Sequence, residues 1–284
     1  MMSGTPDFVV VGHVVRDVAP GGYELGGTVT FAAVQAHRLG LRVGVVTRAP
    51  ADFDPAETLG FAEVACGPSE AWTTFENTYT PEGRMQRLRS RAAPIEPADV
   101  PGAWLAAPIV LLGPVFHEIP ASIARQFSRN ALVGVSAQGW LRAIDDEGRV
   151  RHAPWRGAPF WDGASAIFAS DEDLAGDETE LARWTAGAPI VAVTRSHRGA
   201  RIFADGVWRE MEAFPEAEVD ATGAGDTFAT GFLIRYRETG DANEAARFGA
   251  AAASLSVGGA GASAMGTRVE IEARMRQHPE IALR

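Results

Sequence analysis

Short runs of β-branched and other apolar residues recur along this 284-residue chain, and no other feature restricts its fold as strongly. The runs are bounded by turn residues, which is typical of buried parallel strands. We predict strands at Phe8–Gly12, Val43–Val46, Ile109–Gly113, Leu132–Val135, Ala166–Ala169 and Ile190–Thr194. Helical periodicity predicts helices at Val29–Leu39, Ser122–Phe127, Thr179–Ala186, Ala224–Tyr236, Glu244–Ser256 and Val269–Gln277. This alternation predicts an α/β fold, a three-layer α/β/α sandwich with a mostly parallel central sheet and helices on both faces.

One region departs from the alternation. Residues from Trp72 to Ile95 alternate apolar and polar side chains around Thr-Pro-Glu-Gly, as an antiparallel hairpin does. Ligands in open α/β sheets bind beyond the carboxyl ends of the strands, so we expect a small β lid there. We assign the lid to about residues 14–28 and 72–95 of a single domain that spans residues 1–284.

Composition and charge exclude several kinds of partner and site. A formal net charge of −10 argues against a nucleic-acid surface, which needs a basic stripe. Cys66 is the only cysteine, which excludes intramolecular disulfides and cysteine-rich metal sites. No apolar stretch reaches the roughly 18 residues of a membrane span. We therefore expect a soluble, cytoplasmic protein without nucleic-acid or membrane partners.

The chain contains no lysine, so all 26 of its basic residues other than histidine are arginines. A Walker P-loop needs a lysine near the β- and γ-phosphates, protein kinases need one on a strand, and pyridoxal enzymes need one for the Schiff base. These three classes are excluded as active enzymes of standard type.

The stretch "VDATGAGDTFATGF" places a glycine turn between a strand end and a helix. The backbone N–H groups of Gly223, Ala224 and Gly225 then lie unpaired at the positive end of the helix dipole, which makes an anion hole without lysine. Asp226 follows directly and fits a base that takes the proton of an attacking alcohol, kept ionised by the helix N-terminus. The alternative, an acid that only decorates a helix start, is common for a bare Gly-x-Gly-Asp.

The longer string "DATGAGDTF" resembles the C-terminal signature of the ribokinase-like, or PfkB, carbohydrate kinases. The segments "GHVVRD", "LGGTVTFAAVQAHRLG", "VTRSHRGARIF" and "AAASLSVGGAGA" are similar to other parts of that family. The resemblance implies a ribokinase-like fold, with ATP and Mg²⁺ as cofactors. It implies that Asp226 is the catalytic base and that Gly223, Ala224 and Gly225 form the anion hole.

The resemblance also implies binding residues. On the acceptor side these are Asp17, for which a solvated loop acid is the alternative, and the diglycine Gly26 and Gly27. On the nucleotide side they are Thr194, Arg195, Gly199, Thr222, Gly258 and Gly261, with Arg195 standing where the family often has a glycine. An arginine there either pairs with ATP phosphates or lies in solvent, and close helix packing is the alternative for the Ala/Gly-rich segment.

Two positions depart from the family pattern. Phe31 stands where the family commonly has an asparagine that contacts sugar hydroxyls, which makes a furanose acceptor less assured. The Asn-x-x-Glu motif linked to magnesium and phosphate is represented by "SDED", with Asp173 as the candidate metal residue.

The segments "TTFENTYTPEGRMQRLRSRAAPI" and "VSAQGWLR" look like the myo-inositol 3-kinase branch of the family. That branch implies that Gln138 and Arg142, with Asn77 and Arg84 from the lid, bind a ring polyol. A solvated hairpin face is the alternative for at least two of the lid arginines, since strand residues alternate faces.

The sequence thus predicts an ATP-dependent kinase that phosphorylates a hydroxyl of a small sugar or polyol, with an inositol-like acceptor favoured. The alternatives are a nucleoside, pentose or hexose kinase of the same family, and a binding protein that senses a nucleotide or polyol without turnover. Phe31 and the altered "SDED" motif favour the sensor, whereas Asp226 in an intact "GAGD" argues against it.

The lid hairpin also predicts a homodimer, because its strands can pair with those of a second copy. Light scattering at micromolar concentration checks this expectation. A monomeric mass would count against it.

Overall fold

A computed structural model describes residues 4–80 and 83–284. Its main feature is a nine-stranded sheet formed by β1 (Phe8–Val11), β4 (Val43–Ala49), β5 (Glu63–Pro68), β8 (Ile109–Leu112), β9 (Leu132–Ser136), β12 (Ala166–Ser170), β13 (Ile190–Thr194), β14 (Ala200–Ala204) and β15 (Val207–Met211). The strand order is β15-β14-β13-β12-β9-β8-β1-β4-β5, and all pairs are parallel except those of β14 with its two neighbours.

Strand β1 shows why these runs form the centre of the sheet. Its four side chains are fully buried, and they alternate between two separate hydrophobic clusters on opposite faces. Phe8 and Val10 pack on one face, whereas Val9 and Val11 pack on the other. A strand buried on both faces has a continuous run of apolar residues, so the strand predicted at this position is confirmed.

Helices cover the two faces unequally. The helices are α1 (Thr28–Arg38), α2 (Pro55–Leu59), α3 (Asp171–Leu174), α4 (Glu178–Gly187), α5 (Ala224–Thr239), α6 (Ala242–Ser256) and α7 (Arg268–Gln277). Helices α1, α5, α6 and α7 contribute to the cluster on one face. Short 3₁₀ segments and α4 contribute to the other. The three-layer arrangement is confirmed, with one layer built mainly from short turns.

The helix predicted at Ser122–Phe127 is wrong as an α-helix. The segment forms a 3₁₀ turn at Ile123–Gln126. It lies between Pro120 and the turn at Ser128, and so short a segment cannot offset the cost of nucleating an α-helix.

The hairpin of β14 and β15 was not predicted from the sequence. Its Asp205-Gly206 turn, with both φ angles positive, is the signal that would have revealed it.

A second sheet of four strands lies within the ranges expected for the lid. Its order is β3-β2-β6-β7, with strands β2 (Val15–Ala19), β3 (Gly22–Gly26), β6 (Thr73–Thr80) and β7 (Gly83–Ser90). The tip of the predicted hairpin at residues 81–82 lies outside the described residues. A third, small sheet pairs β10 (Arg142–Ile144) with β11 (Val150–His152).

His13 ties the base of the lid to the end of β1. Its ring is fully buried, with Nδ1 2.8 Å from the Thr73 hydroxyl and Nε2 2.9 Å from the Ala93 carbonyl oxygen. Burial lowers the pKa of His13, which favours the neutral ring. The two lid strands β6 and β7 are therefore held at one point of the main sheet.

Among the described helices, none is both long enough and apolar enough to cross a membrane.

The aromatic cluster under α5 generates a stability prediction. Phe232 is fully buried and contacts the rings of Phe168, Phe228 and Tyr236. We expect Phe232→Ala to lower the free energy of unfolding by about 3–5 kcal/mol, because it removes a buried ring and leaves a cavity. Urea unfolding measures this value. Val269→Ala, at a side chain that is 72% exposed, is the control and should change it by less than about 0.5 kcal/mol.

Candidate active site

The glycine turn before α5 forms the anion-binding part of the site. Gly223 caps the helix with φ 78°, and no atom lies within 4 Å of where a Cβ on Gly225 would stand. The amide of Ala224 donates to the Ala221 carbonyl oxygen at 3.2 Å, so it is not free as the sequence predicted, because the turn closes on itself. Among the described residues, the amides of Gly223 and Gly225 have no protein acceptor.

Phe31 supports this turn from α1. Its side chain is 4% exposed, and a Cβ on Gly223 would lie only 2.3 Å from its ring. Gly223 is thus required both by its positive φ and by this close approach. The Phe31 ring has no hydrogen-bonding group to offer an acceptor hydroxyl, so neighbouring residues must supply those contacts.

Asp226 is the third residue of α5, and its pKa is affected by its burial and by three neighbouring side chains. Burial, the largest effect, raises the pKa to about 6; a hydrogen bond from Thr28 lowers it, Asp173 raises it and Arg142 lowers it. Burial therefore outweighs the two groups that favour the ionised form, Thr28 and Arg142, and the predicted effect of the helix N-terminus stays a prediction. The carboxylate still predominates at pH 7, as a base for an alcohol proton requires.

Thr28 holds the Asp226 carboxylate from the first turn of α1. It is 4% exposed and its hydroxyl donates to Asp226. On its other side lies Gly113, where a Cβ would stand 2.2 Å from the Thr28 methyl carbon. Gly113 thus gives Thr28 the room to reach Asp226, and the sequence did not single out either residue.

Asp173 and Gln138 form the next part of the site. One carboxylate oxygen of Asp173 accepts from the Ser170 amide and hydroxyl, each at 2.8 Å, which closes a capping box at α3. The other oxygen accepts from Gln138 Nε2 at 3.2 Å. The altered "SDED" motif therefore positions Asp173 firmly. No cluster of three or more metal-ligating side chains occurs in the described part of the chain.

Arg142 faces Asp226 from the start of β10. Its Nη1 donates to the Val115 carbonyl oxygen at 2.9 Å, and its guanidinium carbon lies 5.6 Å from the centre of the Phe75 ring. The side chain is half-buried, and its charge lowers the pKa of Asp226. Arg142 thus stands between the base and the lid.

The lid contributes a chain of polar groups. Asn77 donates to an Asp17 carboxylate oxygen at 3.1 Å, and Gln86 donates to the Asn77 carbonyl oxygen at 3.0 Å. A Cβ on Gly26 would stand 2.2 Å from the other Asp17 oxygen, and Gly27 caps α1 with φ 86°. The diglycine therefore lets the α1 start approach Asp17 closely. Among these hydrogen-bonded polar residues, Gln86 is the one that the sequence did not single out.

Asp220 joins the glycine turn to the late glycine loop. One of its oxygens accepts from the Thr222 amide and the other from the Gly261 amide, both at 2.9 Å. The Gly258 amide donates to the Leu255 carbonyl oxygen at 3.1 Å, at the end of α6. The predicted nucleotide-side residues Thr222, Gly258 and Gly261 thus lie in segments connected through one carboxylate.

The turn after β13 corrects one detail of the sequence comparison. Arg195 has φ −132°, whereas Ser196 has φ 52°, so the glycine-like position is Ser196. Gly199 has φ 88°, and a Cβ there would stand 1.9 Å from the Met211 carbonyl oxygen. Thr194 ends β13, and its hydroxyl donates to the Ala169 carbonyl oxygen at 3.4 Å. The left-handed position of this turn is therefore Ser196, and the predicted role of Arg195 in nucleotide binding stays a prediction.

Arg195 is paired within the protein. Its Nη2 lies 2.9 Å from a Glu210 oxygen, beside a cavity of about 270 Å³ that Arg198 and Arg284 also line. An anionic donor would have to compete with Glu210 for this guanidinium.

The lid arginines are mostly engaged in structural contacts. Arg87 pairs with Glu147, Arg89 with Glu76, and Arg91 donates to the His117 carbonyl oxygen. The side chain of Arg84 lies outside the described residues, so its predicted contact with the acceptor stays a prediction.

Comparisons with known proteins identify the family. A model of the pfkB family of carbohydrate kinases matches residues 163–268, which include the glycine turn. Inositol 3-kinases of Zea mays and Oryza sativa subsp. japonica are 28% and 30% identical to the chain over 254 and 276 residues. The alignments cover 86% and 87% of this chain, which spans 64% and 68% of the two plant proteins. The chain belongs to the pfkB family of carbohydrate kinases.

Another relative and two solved structures extend the comparison. A cytidine kinase of Thermococcus kodakarensis is 26% identical over 275 residues, covering 86% of this chain and 93% of that protein. A pyrophosphate-dependent ribokinase-family kinase complexed with a pyrophosphate analog and myo-inositol superposes with TM-score 0.75 at 23% identity, covering 94% and 99% of the two chains. Arabidopsis thaliana ribokinase complexed with ribose and ATP gives 0.72 at 21%, covering 96% and 99%. The predicted ribokinase-like fold is therefore confirmed.

The raised pKa of Asp226 generates a prediction about stability. A carboxyl whose pKa rises on folding, here from 3.8 to about 6, stabilises the fold fully below pH 3.8 and loses that contribution as pH rises toward 6. We expect Asp226→Asn, which stays neutral, to raise the free energy of unfolding above pH 6 by about 1–2 kcal/mol, less than the full shift implies because the carboxyl is partly hydrated.

Urea unfolding of both proteins between pH 4.5 and 8 measures the gain. It should grow up to about pH 6 and stay constant above. A gain that is the same at every pH would contradict the raised pKa. Asp177→Asn, at the half-buried N-cap of α4, is the control for removing one negative charge and should not show the rise.

Proposed function

We propose that this pfkB-family chain transfers the terminal phosphoryl group of Mg-ATP to a hydroxyl of a small ring polyol, with an inositol as the leading acceptor. The observation that carries the proposal is the meeting of three features. These are the open amides of the glycine turn, the Asp226 carboxylate beside them, and the polar groups of the lid and of Arg142.

The chemistry follows from these positions. An acceptor hydroxyl hydrogen-bonded to Asp226 gives its proton to that carboxylate as its oxygen bonds to the terminal phosphorus. The bond from this phosphorus to the bridging oxygen of the donor breaks, and the nucleoside diphosphate leaves. The amides of Gly223 and Gly225 stabilise the charge on the phosphoryl oxygens. Closure of the lid excludes water, which would otherwise accept the phosphoryl group.

The polar residues of the lid and of the segments after β9 favour an acceptor with hydroxyls on several sides. Asp17, Asn77 and Gln86 come from the lid, whereas Gln138 and Arg142 come from segments after β9. Phe31 leaves an apolar floor under the turn. A ring that carries hydroxyls around its edge matches polar walls and an apolar floor better than a furanose does. The plant inositol 3-kinases among the relatives support the same substrate class.

Magnesium would be bound together with the donor. Carboxylate oxygens are the ligands that Mg²⁺ takes, and Asp173 is the described residue that offers one next to Asp226. When bound, the metal neutralises charge on the phosphate oxygens. Thr194, Ser196 and the segments that Asp220 joins would face the rest of the donor.

A nucleoside kinase is the second candidate, supported by the cytidine kinase of Thermococcus kodakarensis, which aligns over nearly its full length. Pyrophosphate is the alternative donor, since a structural neighbour with TM-score 0.75 is pyrophosphate-dependent. A sensor without turnover is disfavoured, because its ligand would gain nothing from a buried carboxylate whose pKa is raised to about 6.

The proposal is tested by measuring acceptor-dependent loss of the donor's terminal phosphate for inositol isomers, pentoses, hexoses and nucleosides, with Mg-ATP or Mg-pyrophosphate. We expect the highest kcat/KM with an inositol and ATP. We expect kcat/KM to rise with pH through about 6, as Asp226 ionises. Asp226→Asn should lower kcat by about 10³-fold or more, because the proton then has no acceptor.

Two results would contradict the proposal. One is cytidine or another nucleoside as the best acceptor, which supports the nucleoside kinase. The other is turnover that survives in Asp226→Asn, which removes the base from its role. Asp177→Asn is the matched control and should retain the activity of the parent protein, because Asp177 only caps α4.

A further inference from the structure

We infer that His117 is a positioning residue for acceptor binding: its imidazole fixes the main chain of Arg142 and thereby aims the guanidinium at the Asp226 side of the site. This inference rests on the proposed function, because Arg142 is placed there as an acceptor-binding residue. It goes beyond it by assigning a role to a histidine that the sequence gave no reason to select.

The backbone of His117 is held in an uncommon conformation. Its φ is 55°, in the left-handed region that non-glycine residues seldom adopt. The His117 amide donates to the Gly139 carbonyl oxygen at 3.1 Å, and its carbonyl oxygen accepts from Arg91 at 2.7 Å. Strained residues of this kind persist where the surrounding contacts fix them, and they are frequent at functional sites.

The His117 ring contacts Arg142 directly. Its Nε2 lies 2.5 Å from the Arg142 carbonyl oxygen, so the ring donates and Nε2 carries the hydrogen. The ring also stacks on Trp155, with centroids 5.5 Å apart and planes 25° from parallel, and meets Phe116 edge-on at 5.0 Å. Two aromatic neighbours therefore fix the direction in which the ring donates.

The Arg142 side chain returns to the same loop. Its Nη1 donates to the carbonyl oxygen of Val115, two residues before His117. Arg142 is thus held at both ends, at its main-chain carbonyl by the His117 ring and at its guanidinium by Val115. Arg142 is also paired with His152 of β11, so loss of the first contact removes one of two restraints on the main chain from which the guanidinium extends.

The loop that carries His117 is itself rigid. Glu118 is 1% exposed, and its carboxylate accepts from the amides of Val115 and Phe116 at 2.7 Å and from the amide of His13 at 3.2 Å. Gly139 allows close approach, since a Cβ there would stand 2.3 Å from the Pro114 carbonyl oxygen. The loop that contacts Arg142 is therefore fixed to the ends of the central strands.

Two substitutions test the N–H group of His117 separately from its aromatic ring. His117→Phe keeps an aromatic ring for Trp155 and Phe116 but removes the N–H. His117→Gln removes the ring but places an amide N–H near the position of Nε2. We expect His117→Phe to raise the KM for the acceptor about tenfold, with the KM for the donor within about twofold. We expect His117→Gln to restore the acceptor KM to within about threefold of the parent value.

A double substitution tests whether His117 acts through Arg142. In an Arg142→Met background, His117→Phe should cause no further loss, because the group that it positions is already absent. His37→Phe is the matched control, since His37 also stacks on an aromatic ring, that of Phe61, but lies exposed on α1. It should leave both KM values unchanged.

Crystal structures of the two His117 variants test the inference independently of turnover. In His117→Phe, Arg142 should leave the Val115 carbonyl oxygen, and in His117→Gln it should remain. An unmoved Arg142 in His117→Phe, equal kinetic losses in both variants, or additive losses in the double variant would overturn the inference. If the parent protein shows no acceptor-dependent turnover, the proposed function fails while the structures still decide the role of His117.

Discussion

The burial of the Asp226 carboxyl at the junction of α1 and α5 is the constraint on which the site depends. Burying an ionised carboxyl there lowers the stability of the fold unless neighbouring groups hydrogen-bond it and balance its charge. Thr28 supplies the hydrogen bond and Arg142 the opposite charge, while Asp173 works against them. The junction needs glycine at two close approaches, Gly223 against Phe31 and Gly113 against Thr28. The residue types at these few positions are therefore restricted both by the charge of Asp226 and by close packing.

The parallel sheet explains why groups so distant in sequence meet. Strands β1, β8, β9, β12 and β13 run in one direction, so the segments that follow them emerge at one edge. Those segments carry His13, His117, Gln138, Asp173 and Ser196. The residues proposed for the acceptor and those proposed for the donor thus share one edge of the sheet.

The absence of lysine shapes how the protein handles charge. Many arginines form ion pairs within the protein, such as the bidentate contact of Arg48 with Asp99 and the pair of Arg195 with Glu210. The planar guanidinium suits such contacts, whereas a flexible ammonium suits a phosphate that moves during transfer. In the proposed reaction the transferred group is bound by backbone amides, which are already oriented and need no reorganisation. The residues matched by the pfkB family model, 163–268, include the glycine turn that carries these amides.

The sequence by itself determined the strands, the glycine turn and the family, because these depend on local patterns: apolar runs, glycines before a helix and an acid at a fixed spacing. Through resemblance to relatives it also predicted Asp226 as the base and Asp17, Gln138 and Arg142 as acceptor-binding residues, and these roles stay predictions. It did not reveal Thr28, Gln86 or His117, since nothing in the residue type or spacing marks these three positions even where the surrounding segment resembles the family. Only the tertiary structure decided that burial raises the pKa of Asp226, that the Ala224 amide is already used, and that Ser196 takes the left-handed position. Each of these depends on which atoms are brought close by segments far apart in the chain, and local sequence patterns do not encode such distances.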